Sequence, residues 1–188
     1  MNVQFSVFIA TSLDGFIARP DGGIDWLPVP ESEGPEDYGY HAFMDTIDCM
    51  VMGRKSFETV MAFDPWPYAG KRVIVLSSTL ESIPPGFEGR VELFNGTPQT
   101  VANKLQDESV RRVYLDGGKT IQGFLRAGLV NDVLITLVPI LIGQGLPLFG
   151  PLAEDVALVH QRTTTYPNGF VQSVYSTEQS ASGPRSRG

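Results

Sequence analysis

A short apolar run that ends in glycine and opens into an amphipathic segment occurs twice in this chain, and it limits the fold more than any other feature. In the first copy, V-M-G-R-K-S-F-E, residues 49–52 predict a buried strand and Gly53 lies at the turn. Phe57 and Val60 then recur at helical spacing. In the second copy, V-Y-L-D-G-G-K-T-I, residues 113–115 predict the strand. Strand, turn and helix in this order favour an α/β fold.

Both glycine turns predict contacts with a phosphate-bearing ligand. Glycine lets a phosphate approach the backbone, and the N–H groups of a helix start attract an anion together with nearby cations. Two such turns suit a ligand with separated phosphates, such as a dinucleotide. The predicted contacts are Gly53, Arg54, Lys55, Ser56, Gly117, Gly118, Lys119 and Thr120. Taken alone, each turn is equally well explained as a strand-to-helix connection with solvated cations.

The two turns differ from the common nucleotide motifs. A Walker loop needs glycine five positions before Gly118, where this chain has Val113. The G-x-G formed by Gly143 and Gly145 is followed by Leu-Pro rather than by a helix, so a Rossmann fingerprint is absent from the sequence.

Composition and charge exclude several classes of protein. The net charge of −7 argues against nucleic acid as a partner, because phosphate backbones are bound by basic faces. No segment is apolar enough to span a bilayer and no basic stretch precedes an apolar core, so we expect a cytoplasmic enzyme without a membrane partner. Size and composition predict one domain over residues 1–179, followed by a flexible tail at 180–188.

The residues that commonly bind metals are scarce. Cys49 is the single cysteine and lies in an apolar run, which indicates a packed thiol rather than a nucleophile. His41 and His160 are far apart in the sequence. We therefore predict neither a metal site nor an internal disulfide.

Strand and helix patterns alternate along the chain. The predicted strands lie near 3–10, 49–52, 72–77, 91–94, 112–116 and 132–138, and the predicted helices near 36–47, 54–62, 98–107 and 119–127. This alternation favours a mostly parallel sheet covered on both faces, with ligands at the carboxyl ends of the strands. Near the end, P-N-G between T-T-T-Y and F-V-Q-S-V-Y predicts an antiparallel hairpin.

The order of several motifs is distinctive: T-S-L-D-G-F-I-A, M-G-R-K-S-F-E, R-V-I-V-L-S-S, D-G-G-K-T-I and P-I-L-I-G-Q-G-L-P-L-F. With these motifs the chain resembles the dihydrofolate reductase superfamily over about residues 3–177. The likeness is strongest to the branch with the reductase domain of the bifunctional riboflavin-biosynthesis protein. It implies a three-layer α/β/α sandwich, NADPH as cofactor, hydride transfer to a small heterocyclic substrate, and a homodimer.

The resemblance also assigns cofactor contacts outside the glycine turns. Ala10 and Ile17 match positions that hold the nicotinamide through backbone groups. Leu76, Ser77 and Ser78 match positions that contact the adenosine part. Hydroxyls suit a 2′-phosphate as donors, and with the cations of the first turn they favour NADPH over NADH.

Asp37 is the predicted catalytic residue. Ungapped counting from Gly53 places it where dihydrofolate reductases carry a buried carboxylate that hydrogen-bonds the pterin. An apolar pocket would raise its pKa and help it hold a proton. The alternative is an ordinary acidic helix start in Pro-Glu-Asp. Glu31 and Glu33 are the substitute candidates.

Aromatic residues near Asp37 predict a wall against a planar substrate. Trp26, Tyr38 and Tyr40 are the candidates, with Trp26 and Tyr38 favoured as substrate contacts alongside Asp37. The alternative is core packing, since Tyr40, Phe43 and Ile47 follow helical spacing.

The resemblance is mixed with respect to substrate. M-G-R-K-S-F-E is closer to dihydrofolate reductases, whereas G-Q-G-L-P-L-F is closer to the riboflavin branch. The helix Y-G-Y-H-A-F-M-D-T-I-D lacks the arginine with which that branch binds a ribose phosphate. The prediction is a reductase of the 5-amino-6-(5-phosphoribosylamino)uracil type, with folate reduction second. A binding module without turnover is the alternative from another class.

Overall fold

The computed structural model describes residues 2–27 and 37–177. Glu31, Glu33 and the segment 180–188 lie outside these residues. The elements of the described part are β1 (Gln4–Ser12), β2 (Phe16–Ala18), α1 (Tyr40–Asp45), β3 (Cys49–Gly53), α2 (Arg54–Val60), β4 (Arg72–Leu76), β5 (Val91–Phe94), α3 (Pro98–Asp107), β6 (Arg112–Asp116), α4 (Gly118–Arg126), β7 (Val130–Val138), β8 (Leu146–Pro147), β9 (Leu158–Thr165) and β10 (Val171–Thr177).

The central sheet has eight strands in the order β5-β4-β3-β6-β1-β7-β10-β9. Neighbours from β5 through β7 run parallel, while β10 is antiparallel to both β7 and β9. Strands β2 and β8 form a separate antiparallel pair. The mostly parallel sheet and the C-terminal hairpin predicted from the sequence are therefore confirmed.

Helices cover both faces of the parallel part of the sheet. On one face, Leu105 of α3 and Phe124 of α4 are fully buried with Phe5 of β1. On the other face, Phe43 of α1 and Phe57 of α2 pack in one apolar cluster with side chains of β3, β4 and β6. Burial on two sides explains why these strands read as continuous apolar runs instead of alternating ones.

Helix α1 is shorter than the predicted helix at 36–47. Tyr38 and Gly39 have positive φ angles of 54° and 80°, so the chain before Tyr40 cannot continue the right-handed helix. At the other end, the ammonium group of Lys71 donates to the carbonyl oxygens of Met44 and Ile47. The prediction placed the helix start too early, because it had no signal for a left-handed tyrosine.

Candidate active site

The two glycine turns lie against each other at the carboxyl edge of the sheet. Strands β3 and β6 are parallel neighbours, with Met52 aligned to Asp116. A Cβ atom added to Gly117 would lie 2.3 Å from the Ser56 hydroxyl oxygen, and one added to Gly53 would lie 3.1 Å from Oγ1 of Thr120. Gly117 also has a φ of +89°, which favours glycine. The structure thus brings the two predicted phosphate turns together.

Ile17 lies beside the second turn. A Cβ on Gly118 would lie 3.0 Å from Cδ1 of Ile17 and 3.2 Å from the carbonyl oxygen of Pro147. Ala10 lies on β1, the strand between β6 and β7, and pairs with Thr136. The two residues assigned to the nicotinamide by resemblance are therefore near the carboxyl end of β6.

The cations of the first turn have a nearby carboxylate. Glu58 lies 3.3 Å from a guanidinium nitrogen of Arg54 and 3.5 Å from Nζ of Lys55, and all three side chains are exposed. Lys119 of the second turn is exposed as well. Exposed pairs of this kind are weak and are screened by salt, so an anionic ligand can compete for both cations.

The predicted adenosine contacts lie at the end of β4 and just after it. Strand β4 pairs with β3, and Leu76 is the pairing partner of Gly53. The hydroxyl oxygen of Ser77 accepts hydrogen bonds from the backbone N–H groups of Thr79 and Leu80, at 3.1 and 2.8 Å. This hydroxyl therefore shapes the turn after β4. Ser78 is exposed at the same edge of the sheet.

Asp37 does not lie in an apolar pocket. Its carboxylate accepts hydrogen bonds from the backbone N–H groups of His41 and Gly39, and it lies 2.6 Å from Nδ1 of His41. The backbone hydrogen bond from His41, followed by the one from Gly39, lowers the pKa of Asp37. The expectation of a raised pKa is wrong, and the carboxylate instead binds backbone N–H groups at the start of α1 although Asp37 itself precedes the helix.

Asp116 is the carboxylate at this edge of the sheet whose pKa is raised, as had been expected for Asp37. It ends β6 and is followed by Gly117; part of its surface remains exposed. Dense packing around the carboxyl group raises its pKa, although hydrogen bonds from the Gly117 N–H and the Ser56 hydroxyl act in the opposite direction. The sequence analysis missed Asp116. The signal that could have identified it is an acidic residue at the end of a buried strand, next to a glycine turn.

Asp116 faces the same side of the sheet as α1. Tyr114, two residues earlier in β6, packs in the apolar cluster of α1 and α2. Burial and, second, the charge of Asp116 raise the pKa of Tyr40 to about 12. Since Leu115 pairs with Val7, Asp116 lies next to the end of β1 that carries Ala10.

The predicted aromatic wall is divided in the structure. Tyr40 contacts Phe8 with ring centroids 5.6 Å apart. Tyr38 instead stacks on Phe170 at 5.2 Å, and the Nδ2 group of Asn168 donates to its hydroxyl. Trp26 is 8% exposed and packs in the cluster of Val138 and Phe170. Tyr38 and Trp26 are thus packed beside the C-terminal hairpin, as the alternative interpretation proposed, and their substrate contacts remain predictions.

A groove of about 470 Å³ lies between α1 and the C-terminal hairpin. Tyr38 and Phe43 line one side, and Arg162 and Val174 of the hairpin line the other. None of the glycine-turn residues borders it, so this groove is separate from the predicted phosphate contacts.

The described residues contain no group of three or more His, Cys, Asp or Glu side chains arranged to hold a metal ion. Burial raises the pKa of the Cys49 thiol to about 12, which leaves the thiol protonated at neutral pH. Within residues 2–27 and 37–177, no helix has the length and apolar character needed to cross a membrane.

Comparison with known families decides the assignment. The family model described as the RibD C-terminal domain matches residues 5–172. The chain belongs to the RibD C-terminal domain family. The resemblance to the riboflavin branch of the dihydrofolate reductase superfamily is thereby confirmed.

Two similar proteins match this chain over most of their length. The uncharacterized protein YwjB of Bacillus subtilis is 32% identical over 154 residues, which cover 81% of this chain and 86% of YwjB. A structure from Shewanella sp. PV-4, named as a candidate riboflavin biosynthesis protein, has a TM-score of 0.87 and 38% identity, and the match covers 93% of this chain and 99% of that one.

Two longer proteins match over only part of their length. RibD of Mycobacterium tuberculosis is 32% identical over 152 residues, which cover 71% of this chain and 41% of RibD. A deaminase/5-amino-6-(5-phosphoribosylamino)uracil reductase of Thermotoga maritima has a TM-score of 0.71 at 14% identity, and the match covers 94% of this chain and 57% of that one. The Thermotoga comparison shows that the fold is shared.

Proposed function

We propose that this protein is an NADPH-dependent reductase that transfers hydride to a pyrimidine- or pterin-type heterocycle, first of all as a 5-amino-6-(5-phosphoribosylamino)uracil reductase. The supporting observation is the close packing of the two glycine turns: a Cβ atom added to Gly117 would lie 2.3 Å from the Ser56 hydroxyl oxygen. Family membership supports the reductase type, because the chain has the RibD C-terminal domain and RibD of Mycobacterium tuberculosis is one of its relatives.

The residues at the carboxyl edge fit an elongated dinucleotide. Helix α4 begins at Gly118, and the first N–H groups of a helix lack partners within the helix and attract phosphate. Arg54, Lys55 and Lys119 would neutralise phosphate charge, and Ser78 would donate to a 2′-phosphate. Bound NADPH would supply the hydride, with its nicotinamide held at Ala10 and Ile17.

Asp116 is the proposed proton-holding group, in place of Asp37. Its raised pKa means that the carboxyl group keeps its proton to a higher pH than an ordinary aspartate does, and when protonated it can donate from Oδ to a ring nitrogen of the substrate. The protonated form also avoids placing a negative charge beside bound phosphates. Ser56 and the Gly117 N–H orient the carboxyl group by donating hydrogen bonds to it.

Fluorescence titration with NADPH, followed by measurement of NADPH oxidation, tests the proposal. The two substrates to compare are 5-amino-6-(5-phosphoribosylamino)uracil and dihydrofolate. Faster oxidation with the uracil supports the riboflavin type, whereas faster oxidation with dihydrofolate supports the second assignment. Binding without oxidation by either compound favours a binding module, and absence of NADPH binding refutes the proposal.

The homodimer and the cytoplasmic location expected from the sequence remain predictions. Strand β9 is relevant to the homodimer, because all of its residues are exposed and it forms one edge of the central sheet. Unprotected edge strands are frequent sites of association between chains. Sedimentation analysis of the protein at several concentrations measures whether a dimer forms.

A further inference from the structure

We propose that Arg162 of the C-terminal hairpin binds the phosphate group of the substrate, in the groove between α1 and that hairpin. This inference rests on the proposed function, and it names the residue that selects a phosphorylated substrate. Helix α1, with the sequence Y-H-A-F-M-D, offers no arginine for this purpose. The groove of about 470 Å³ has two arginines in its lining, Arg112 and Arg162.

Arg112 is already engaged by the protein. Its three guanidinium nitrogens donate to the hydroxyl oxygens of Ser6 and Thr46, each at 2.9 Å, and to the carboxylate of Asp132 at 3.1 Å. The same group lies over the ring of Phe43, 5.4 Å from the ring centroid. Asp132 also lines the groove, and its negative charge is compensated by the ion pair with Arg112. Arg112 therefore neutralises the floor of the groove and is not the residue that receives an anion.

Arg162 differs from Arg112 because its charge has no partner. The side chain is exposed on β9, and within the described part of the chain its guanidinium group makes no hydrogen bond or ion pair. Thr164, two residues further along β9, also lines the groove, and its hydroxyl has no partner among the described residues either. A guanidinium group and a hydroxyl together can donate several hydrogen bonds to phosphate oxygens. The two side chains thus supply the charge and the donors that a phosphate group needs.

The register of the strands connects this site with the reaction site. The row of pairing partners that begins at Ala10, the residue assigned to the nicotinamide, crosses β7 and β10 and ends at Thr164. Arg162 ends the neighbouring row, which begins at Phe8. Neighbouring strands are about 4.8 Å apart, so three spacings separate the two ends of each row by roughly 14 Å. A ring bound near Ala10 can therefore reach Arg162 only through a charged group on an extended arm, and the ribosyl phosphate of the uracil substrate is such an arm.

Steady-state kinetics of NADPH oxidation test this with two matched substrates, 5-amino-6-(5-phosphoribosylamino)uracil and the same compound without its phosphate. Dihydrofolate is the third compound, since it also carries negative charge on an arm, in its glutamate carboxylates. The variants are Arg162→Gln and Arg162→Lys, with Arg126→Gln as the control. Arg126 is an exposed arginine at the end of α4, outside the groove and on the opposite face of the sheet from α1. Both arginines are exposed, so all three variants should fold, and circular dichroism checks that they do.

We expect Arg162→Gln to raise KM for the phosphorylated uracil about tenfold or more at a nearly unchanged kcat, and to leave KM for the dephosphorylated compound as it is. Arg162→Lys keeps the charge but loses the paired donors, so its KM should rise less. High salt should raise the wild-type KM for the phosphorylated compound only, because the arginine is exposed. Arg126→Gln should have the kinetics of the wild type.

Three results would overturn the assignment. Equal wild-type KM values for the two uracils, or an unchanged KM in Arg162→Gln, refute this inference while the reductase assignment stands. Turnover of dihydrofolate alone, with a raised KM in Arg162→Gln, shows that the groove takes a carboxylate and refutes the phosphate assignment. Absence of NADPH oxidation with all three compounds refutes the proposed function and this inference with it.

Discussion

Replacing Gly117 by alanine should disturb both stability and cofactor binding. The new Cβ would lie 2.3 Å from the Ser56 hydroxyl oxygen, so Ser56 or the turn itself must shift. Overpacking of this kind costs about 1–3 kcal/mol of the free energy of unfolding. The φ of +89° together with the ψ of 136° adds about 1–3 kcal/mol of backbone strain, because this region is close to glycine-only. The expected total is about 2–6 kcal/mol.

Gly70→Ala is the control for a positive φ without a collision. Gly70 has a φ of +77°, but no atom lies within 4 Å of an added Cβ. It should therefore cost only about 1–2 kcal/mol, through backbone strain alone. The difference between the two variants contains the collision with Ser56 and the additional strain from the ψ of 136° at Gly117.

A double-mutant cycle with Ser56→Ala separates the collision further. Ser56 Cβ lies 3.5 Å from the added Cβ, an ordinary contact distance, so Gly117→Ala should cost only the backbone strain of about 1–3 kcal/mol when the Ser56 hydroxyl is absent. Urea denaturation followed by tryptophan fluorescence measures each free energy of unfolding. A cost that is equal in both backgrounds would show that the two turns do not pack as described.

The same variant tests the cofactor site. Movement of the second turn displaces the start of α4, so NADPH affinity in the folded Gly117→Ala protein should fall about tenfold or more, equivalent to ~1.4 kcal/mol. Gly70→Ala should bind NADPH like the wild type, because Gly70 lies outside both turns. If the fully folded Gly117→Ala protein bound NADPH with unchanged affinity, the role of these turns in phosphate binding would be refuted.

Three further predictions concern carboxylates. Asp116→Asn should lower kcat/KM about 100-fold or more while NADPH still binds. In the wild type, activity should fall as pH rises through the raised pKa of Asp116, and the variant should lack this fall. An unchanged pH profile would exclude this residue as the proton donor. Asp37→Asn should keep activity near the wild-type level but reduce the pH dependence of stability. The lowered folded-state pKa of Asp37 stabilises the fold above the pKa of an unfolded aspartate, and this contribution is lost as pH falls through the folded-state pKa. Denaturation at several pH values measures this contribution. Glu58→Gln should tighten NADPH binding about twofold at low salt, since Arg54 and Lys55 lose a competing anion, and calorimetry at high salt should show a smaller effect.

Local sequence chemistry was sufficient for most of the fold. Strands buried on both faces appear as continuous apolar runs, so β3, β4 and β6 were predicted within one or two residues. Helix α3 was predicted at 98–107, as observed, and the Thr97 side chain caps it by accepting from the Thr100 N–H. In each case the deciding interactions lie within a few residues.

The candidate site depends on contacts between distant segments, which local patterns do not contain. Asp37 and Asp116 are both aspartates near glycine, but backbone N–H groups lower the pKa of the first, whereas packing around the carboxyl group raises that of the second. The sequence by itself determined the layered α/β architecture and the glycine turns, because hydrophobic periodicity and glycine backbone freedom act locally. Only the tertiary structure decided which carboxylate can hold a proton, because desolvation and hydrogen bonding depend on what surrounds each group in space.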